Sequence, residues 1–151
     1  MRSRSSLHPD DPREILLVDD NHHGLVARRA VLQDMGYRVT TASGGEEAFE
    51  LFQRAKFDLV ITDHKMPRMT GTELIARIRE TEPGARIILV SGFADALGLT
   101  ENSTGADVVI SKNAGEVPIL RREVERLLSR RLSRRPPASQ TRAARIRCSG
   151  A

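Results

Sequence analysis

Five polar residues stand at the ends of short apolar runs. Asp19 and Asp20 follow Ile15-Leu16-Leu17-Val18, Asp63 follows the run that starts Leu59-Val60-Ile61, Ser91 follows Ile87-Ile88-Leu89-Val90, and Lys112 follows Val108-Val109-Ile110. Three carboxylates held together repel one another unless a cation joins them, and hard oxygen donors select magnesium or a similar ion that keeps some of its water. With the ion in place, one carboxylate can attack an incoming phosphoryl group while the metal and the lysine neutralise its oxygens. The hydroxyl of Ser91 can donate a hydrogen bond to a remaining phosphoryl oxygen. Taken singly these residues have plainer readings: Asp19 or Asp20 as a helix N-cap, Asp63 as the start of a turn before Pro67, Ser91-Gly92 as a loop and Lys112 as a solvated surface charge. Their joint placement favours a site over a set of unrelated surface groups.

The elements that must position them follow from the same runs. Together with Arg38 to Ala42, the four apolar runs make five strands, and three of these are continuous β-branched or leucine runs, which suits a parallel sheet buried on both faces. Helical periodicity separates them: Leu25, Ala30, Val31 and Met35 after the first strand, Ala48, Leu51 and Phe52 after the second, Leu74, Ile75 and Ile78 after the third. Gly36 can end the first helix, Gly44-Gly45 reads as a turn into the second, and Thr70 or Gly71 can begin the third. A last helix is predicted over about residues 115–131. Alternating strands and helices predict an open α/β sheet with helices on both faces and right-handed crossovers, its chemistry at the carboxyl ends of the strands.

With Val18-Asp19-Asp20, then Asp63 with Met66-Pro67 and Gly71, then Ser91-Gly92, then Lys112, residues 14–131 resemble the receiver domains of two-component response regulators. The resemblance implies a flavodoxin-like (βα)5 three-layer sandwich whose five-stranded parallel sheet has the order 2-1-3-4-5. It implies Asp63 as phosphoacceptor and Asp19, Asp20, Asp63 and the backbone carbonyl of Lys65 as Mg2+ ligands. Ser91 then corresponds to the switch hydroxyl and Lys112 to the cation that pairs with the phosphoryl group. The implied donor is a histidine kinase or a histidine phosphotransfer protein. The implied output is altered binding of a downstream protein, and the only implied catalysis is self-phosphotransfer with slow autodephosphorylation.

Two positions depart from the family pattern. Asn113 stands where the family usually has proline after the lysine; a non-proline cis bond costs about 3 kcal/mol, so a trans bond or a reshaped loop is expected. Val109 stands where an aromatic switch residue is common. The fourth helix should fill 94–105, but Gly98, Thr100, Asn102, Ser103 and Thr104 are poor helix formers or caps, which predicts a short or irregular element.

Composition excludes several other classes. Cys148 is the single cysteine, so neither an intrachain disulfide nor a thiolate zinc site can form, and a reducing cytoplasm is the expected compartment. No segment reaches the roughly 18 apolar residues of a membrane span. The net charge of +4 hides an asymmetry: from Arg121 onward ten arginines face two glutamates, whereas the preceding chain has fourteen Lys and Arg against eighteen Asp and Glu. Residues 1–13 read as a flexible N-terminal segment and 132–151 as a basic, disordered tail. Aromatics make up only 3%, so stacking on bases is poorly supplied and no nucleic-acid partner is expected, although an arginine-driven binder is the alternative that the tail suggests. A magnesium-dependent phosphatase of the haloacid dehalogenase type would carry a second acid where Lys65 stands. With no recognisable DNA-binding segment after the last helix, the expectation is a stand-alone receiver or a fragment of a larger hybrid kinase or regulator. His22, His23 and His64 flank the acidic cluster and are read as rim residues, because adjacent helical positions point in different directions.

Overall fold

The structure, a computed structural model, describes residues 12–92 and 97–129. Its elements run β1 (Glu14–Val18), α1 (His22–Asp34), β2 (Arg38–Ala42), α2 (Gly45–Arg54), β3 (Leu59–Asp63), α3 (Gly71–Thr81), β4 (Ile87–Ser91), α4 (Glu101–Thr104), β5 (Val108–Ser111) and α5 (Glu116–Ser129). The strands form one sheet of order β2-β1-β3-β4-β5, every neighbouring pair parallel. The open parallel sheet expected from the runs, and the flavodoxin-like strand order implied by the resemblance, are the ones observed.

Strand alternation divides the apolar residues between two cores. Leu16, Val18, Val60, Ile87 and Leu89 meet Ala48 and Phe52 of α2 and Leu74, Ile75 and Ile78 of α3 on one face. Ile15, Leu17, Leu59, Ile61, Ile88, Val90 and Ile110 meet Leu32 of α1 and Leu120, Val124 and Leu128 of α5 on the other. Both faces of the central strands are covered, which is why their sequences read as unbroken apolar runs. Burying each such side chain contributes about 1.5–3 kcal/mol relative to exposure.

Local signals set the helix ends. Thr70 caps α3 in a capping box with Glu73, and Gly36, at φ 97°, takes the left-handed turn after α1. Asn21, not Asp19 or Asp20, caps α1 by accepting the Gly24 N–H, which leaves the aspartate pair without a capping role.

Helix α1 differs from the periodicity read in the sequence. Ala30 is exposed, and the inward stripe runs Leu25, Arg28, Leu32, Met35, with Arg28 and Leu32 the buried members. The inward stripe therefore includes a charged residue, one with partners of its own described below. Helix α4 is a four-residue element closed by Gly105 at φ 84°, as its poor helix formers predict, while residues 93–96 lie outside the described residues. The final helix ends at Ser129 within the described residues, so the expectations for its last turn and for 132–151 fall outside them. Of the N-terminal segment only Pro12 and Arg13 are described, and Arg13 accepts a hydrogen bond from the Arg38 N–H and donates one to the Leu128 carbonyl at 2.6 Å.

Candidate functional site

All five polar residues lie at the carboxyl edge of the sheet. Asp19 and Asp20 leave β1, Asp63 and Ser91 are the last residues of β3 and β4, and Lys112 follows β5. A set of carboxylate oxygens, one each from Asp19, Asp20 and Asp63, lies within 4.8 Å of one another; Asp19 and Asp63 are buried and Asp20 is exposed. Lys112 Nζ stands 2.9 Å from Asp63 Oδ1 and 3.8 Å from Asp19 Oδ2. Register places Asp63 beside Val90, so Ser91 is one residue farther along the neighbouring strand, buried, its carbonyl accepting the Lys112 N–H at 3.0 Å. Lys65 lies two residues past Asp63 in the β3–α3 loop with an exposed side chain.

The loop after β3 is held by a close backbone approach. Gly71 N–H donates to the His64 carbonyl at 2.7 Å, and a Cβ at Gly71 would lie 2.2 Å from the Asp63 carbonyl oxygen. Only glycine fits that first turn of α3, which keeps the β3 end and Asp63 fixed against the helix.

Arg28 is a site residue that the sequence reading missed. It is buried, its Nη1 donates to Asp19 Oδ2 at 2.8 Å, and its Nε donates to Glu116 at the start of α5. Burial works against its charge, but the hydrogen bonds and negative charges of Glu116 and Asp19 outweigh it and raise the guanidinium above its ordinary pKa. The signal was present in the spacing: Arg28 occupies an inward position of the α1 stripe between Leu25 and Leu32. For Asp63, burial is the largest influence and raises the carboxyl above its ordinary pKa. The Lys112 hydrogen bond lowers it, Asp19's charge raises it, and Lys112's charge and the His64 N–H lower it; the upward shift prevails.

The described histidines stay outside the acidic cluster. His22 and His23 are exposed and meet each other edge to face at 6.2 Å, while His64 Nδ1 lies 3.2 Å from Thr72 Oγ1. Among the described residues, only the three aspartates form a group able to hold a metal ion. Asn113 has a trans peptide, its side chain accepts the Gly115 N–H at 2.8 Å, and its carbonyl accepts the Glu116 N–H at 3.0 Å. It thus opens α5 through an Asx turn instead of through a proline. Val109 is half-buried against the α2–α3 core, its N–H bonded to Glu101 of α4 at 3.0 Å.

The donor set fits a hard divalent cation. It consists of carboxylate oxygens, and two of the three groups are buried.

A parallel five-stranded sheet carrying an acidic triad and a lysine at its carboxyl edge defines a flavodoxin-like signalling domain of the receiver class. The chain belongs to the response regulator receiver domain family, whose profile matches residues 15–122. It is 35% identical over 144 residues to the virulence sensor protein BvgS of Bordetella pertussis, covering 89% of this chain and 12% of that protein. It is 30% identical over 116 residues to the response regulator receiver protein CpdR of Brucella abortus, covering 77% of this chain and 97% of CpdR. The chain thus spans a small part of some relatives and nearly all of others. Among solved structures, the response regulator TrrA of Thermotoga maritima in complex with Mg(2+)-BeF matches with a TM-score of 0.70 and 32% identity, covering 76% of this chain and 98% of that one. The receiver domain of sensor histidine kinase PA1611 from Pseudomonas aeruginosa, with a magnesium ion in its active site cleft, matches at 0.72 and 26% identity, covering 79% and 99%.

Proposed function

We propose that this receiver domain takes a phosphoryl group onto Asp63 from a phosphohistidine of a histidine kinase or histidine phosphotransfer protein, in a magnesium-dependent reaction. The observation that carries the reading is the meeting of Asp63 with Asp19 and Asp20 within 4.8 Å and with Lys112 Nζ at 2.9 Å. Asp19, Asp20, Asp63 and the Lys65 carbonyl would hold the ion, which supplies positive charge to the transferred oxygens when bound.

The chain's own residues account for the remaining chemistry. An Asp63 carboxylate oxygen attacks phosphorus, the P–N bond to the donor imidazole breaks, and an acyl phosphate forms while the imidazole leaves and takes up a proton. Lys112 pairs with a phosphoryl oxygen, and Ser91 donates its hydroxyl hydrogen to another. The domain is a signalling acceptor in this reading, with no turnover beyond its own phosphorylation and slow hydrolysis, and its compartment is the cytoplasm. Structural relatives include the receiver domain of a sensor histidine kinase, so the domain can equally serve within a larger kinase.

Intact mass after incubation with a small-molecule phosphodonor and magnesium tests the assignment. The expected result is the gain of one phosphoryl group, lost in Asp63→Asn, in Asp20→Ala and on chelation of magnesium. An equal gain in Asp63→Asn and wild type would overturn it.

A further inference from the structure

Both oxygens of the Asp19 carboxylate are engaged. Oδ1 accepts the Asn21 N–H at 2.9 Å, and Oδ2 accepts Arg28 Nη1 at 2.8 Å with Lys112 Nζ also 3.8 Å away. Arg28 in turn bridges to Glu116, so a chain of alternating charge, buried at Asp19 and Arg28 and half-buried at Glu116, joins the β1 end to the first turn of α5. Helix α1 accommodates it with Gly24, one turn before Arg28. A Cβ there would lie 2.6 Å from Asp19 Oδ2 and 3.0 Å from Arg28 Nη1. Glycine weakens a helix, so the first turn of α1 gives up propensity at a position where a side chain would press on this ion pair.

A guanidinium already bonded to Asp19 and a divalent cation arriving at the same carboxylate repel each other and compete for its charge. Glu116 offers Arg28 a second anionic partner, so Arg28 can yield at Asp19 without being left buried and unpaired. We propose that Arg28 is an internal competitor of the divalent cation for Asp19, and that Glu116 sets the strength of this competition by drawing Arg28 toward α5. This rests on the magnesium reading of the site and adds a positioning residue to it. Linkage makes the coupling reciprocal: cation binding strengthens the Arg28–Glu116 pair, and anything that removes Glu116 weakens cation binding.

Calorimetric titration of the full chain with magnesium chloride, without phosphodonor, tests the inference on wild type, Arg28→Met, Glu116→Gln and the double variant. Arg28→Met is expected to bind magnesium at least roughly fivefold tighter and Glu116→Gln several-fold weaker, with the Glu116→Gln effect vanishing once Arg28 is gone. In wild type, the Arg28 Nε–H resonance should shift as magnesium saturates the site. Unchanged or weaker binding in Arg28→Met, a Glu116→Gln effect that persists in the double variant, or an unmoved Nε–H resonance would overturn the inference. The resonance needs no variant, so it decides the matter even where Arg28→Met fails to fold. Failure of wild type and Arg28→Met alike to bind magnesium would overturn the metal reading itself and the inference with it, whereas binding indifferent to Arg28 overturns the inference alone.

Discussion

Lys112 Nζ lies 2.9 Å from Asp63 Oδ1, although their strands are not neighbours. Strand β4 runs between them, and the lysine reaches over its end: its backbone N–H is bonded to the Ser91 carbonyl, and its Cδ lies 3.9 Å from where a Gly92 Cβ would stand. The β5 cation and the β3 carboxylate thus meet across the end of β4, whose last residue is Ser91.

Removal of that cation should slow phosphotransfer without abolishing the acceptor. Lys112→Ala is expected to lower the rate of phosphoryl gain from a small-molecule donor by about 10²–10³, the usual cost of deleting one electrostatic stabiliser. Time-resolved intact mass at saturating magnesium measures it, and a rate within twofold of wild type would rule out Lys112 as the phosphoryl-pairing cation.

The close approach at the start of α3 gives a stability prediction. In Gly71→Ala the new Cβ would meet the Asp63 carbonyl oxygen at 2.2 Å, Leu89 Cδ1 at 2.8 Å and His64 Cα at 2.9 Å, and two of these three atoms are backbone. The β3 end or α3 must shift, at a cost of about 1–3 kcal/mol. Urea unfolding followed by circular dichroism should show a lower midpoint. Gly84→Ala, whose Cβ meets nothing within 4 Å, serves as the control and should change little.

Much of this was legible because the core writes itself into composition. Strands covered on both faces must be apolar at consecutive positions, so Ile87 to Val90 announces itself, and any polar residue that closes such a run stands at the sheet edge. Arg28 was not legible in the same way. Its place on the inward stripe is a weak signal, since beside Arg29 it resembles an ordinary surface charge, and its charge is satisfied there only by Asp19 and by Glu116, 88 residues beyond Arg28. Arg79 was missed for the same reason: it donates to the Gly105 carbonyl at 2.9 Å and to Asp107 at 3.2 Å, tying α3 to the approach to β5. Asn113 could be recognised as a departure, but not as the residue whose side chain and carbonyl open α5.

The basic tail should be dispensable for the domain. Among the described residues, the buried face of α5 consists of Leu120, Val124, Leu127 and Leu128. Truncation after Ser133 is expected to leave both Asp63 labelling and the melting temperature nearly unchanged. Should the tail instead bind nucleic acid, affinity would fall steeply with salt, because each arginine–phosphate contact releases a counterion. Salt-sensitive binding at physiological ionic strength, lost on truncation, would establish a nucleic-acid partner.

Asp63 gives the pH dependence of the metal-free protein. Burial, with Asp19's charge, raises its carboxyl above the ordinary range despite Lys112 and the His64 N–H. A carboxyl whose folded pKa exceeds its unfolded value contributes stability that is fully present below the unfolded pKa, about 3.9, and lost as pH rises through the folded one. At neutral pH in chelator the ionised Asp63 is therefore a net cost. Asp63→Asn should unfold at a higher temperature than wild type there, and the difference should shrink as pH falls through the raised folded pKa and be gone below the unfolded value of about 3.9. Thermal unfolding of the two proteins between pH 3 and 8 in chelator measures this. A less stable Asp63→Asn at neutral pH, or a gap that widens on acidification, would show that Lys112 and the His64 N–H outweigh burial.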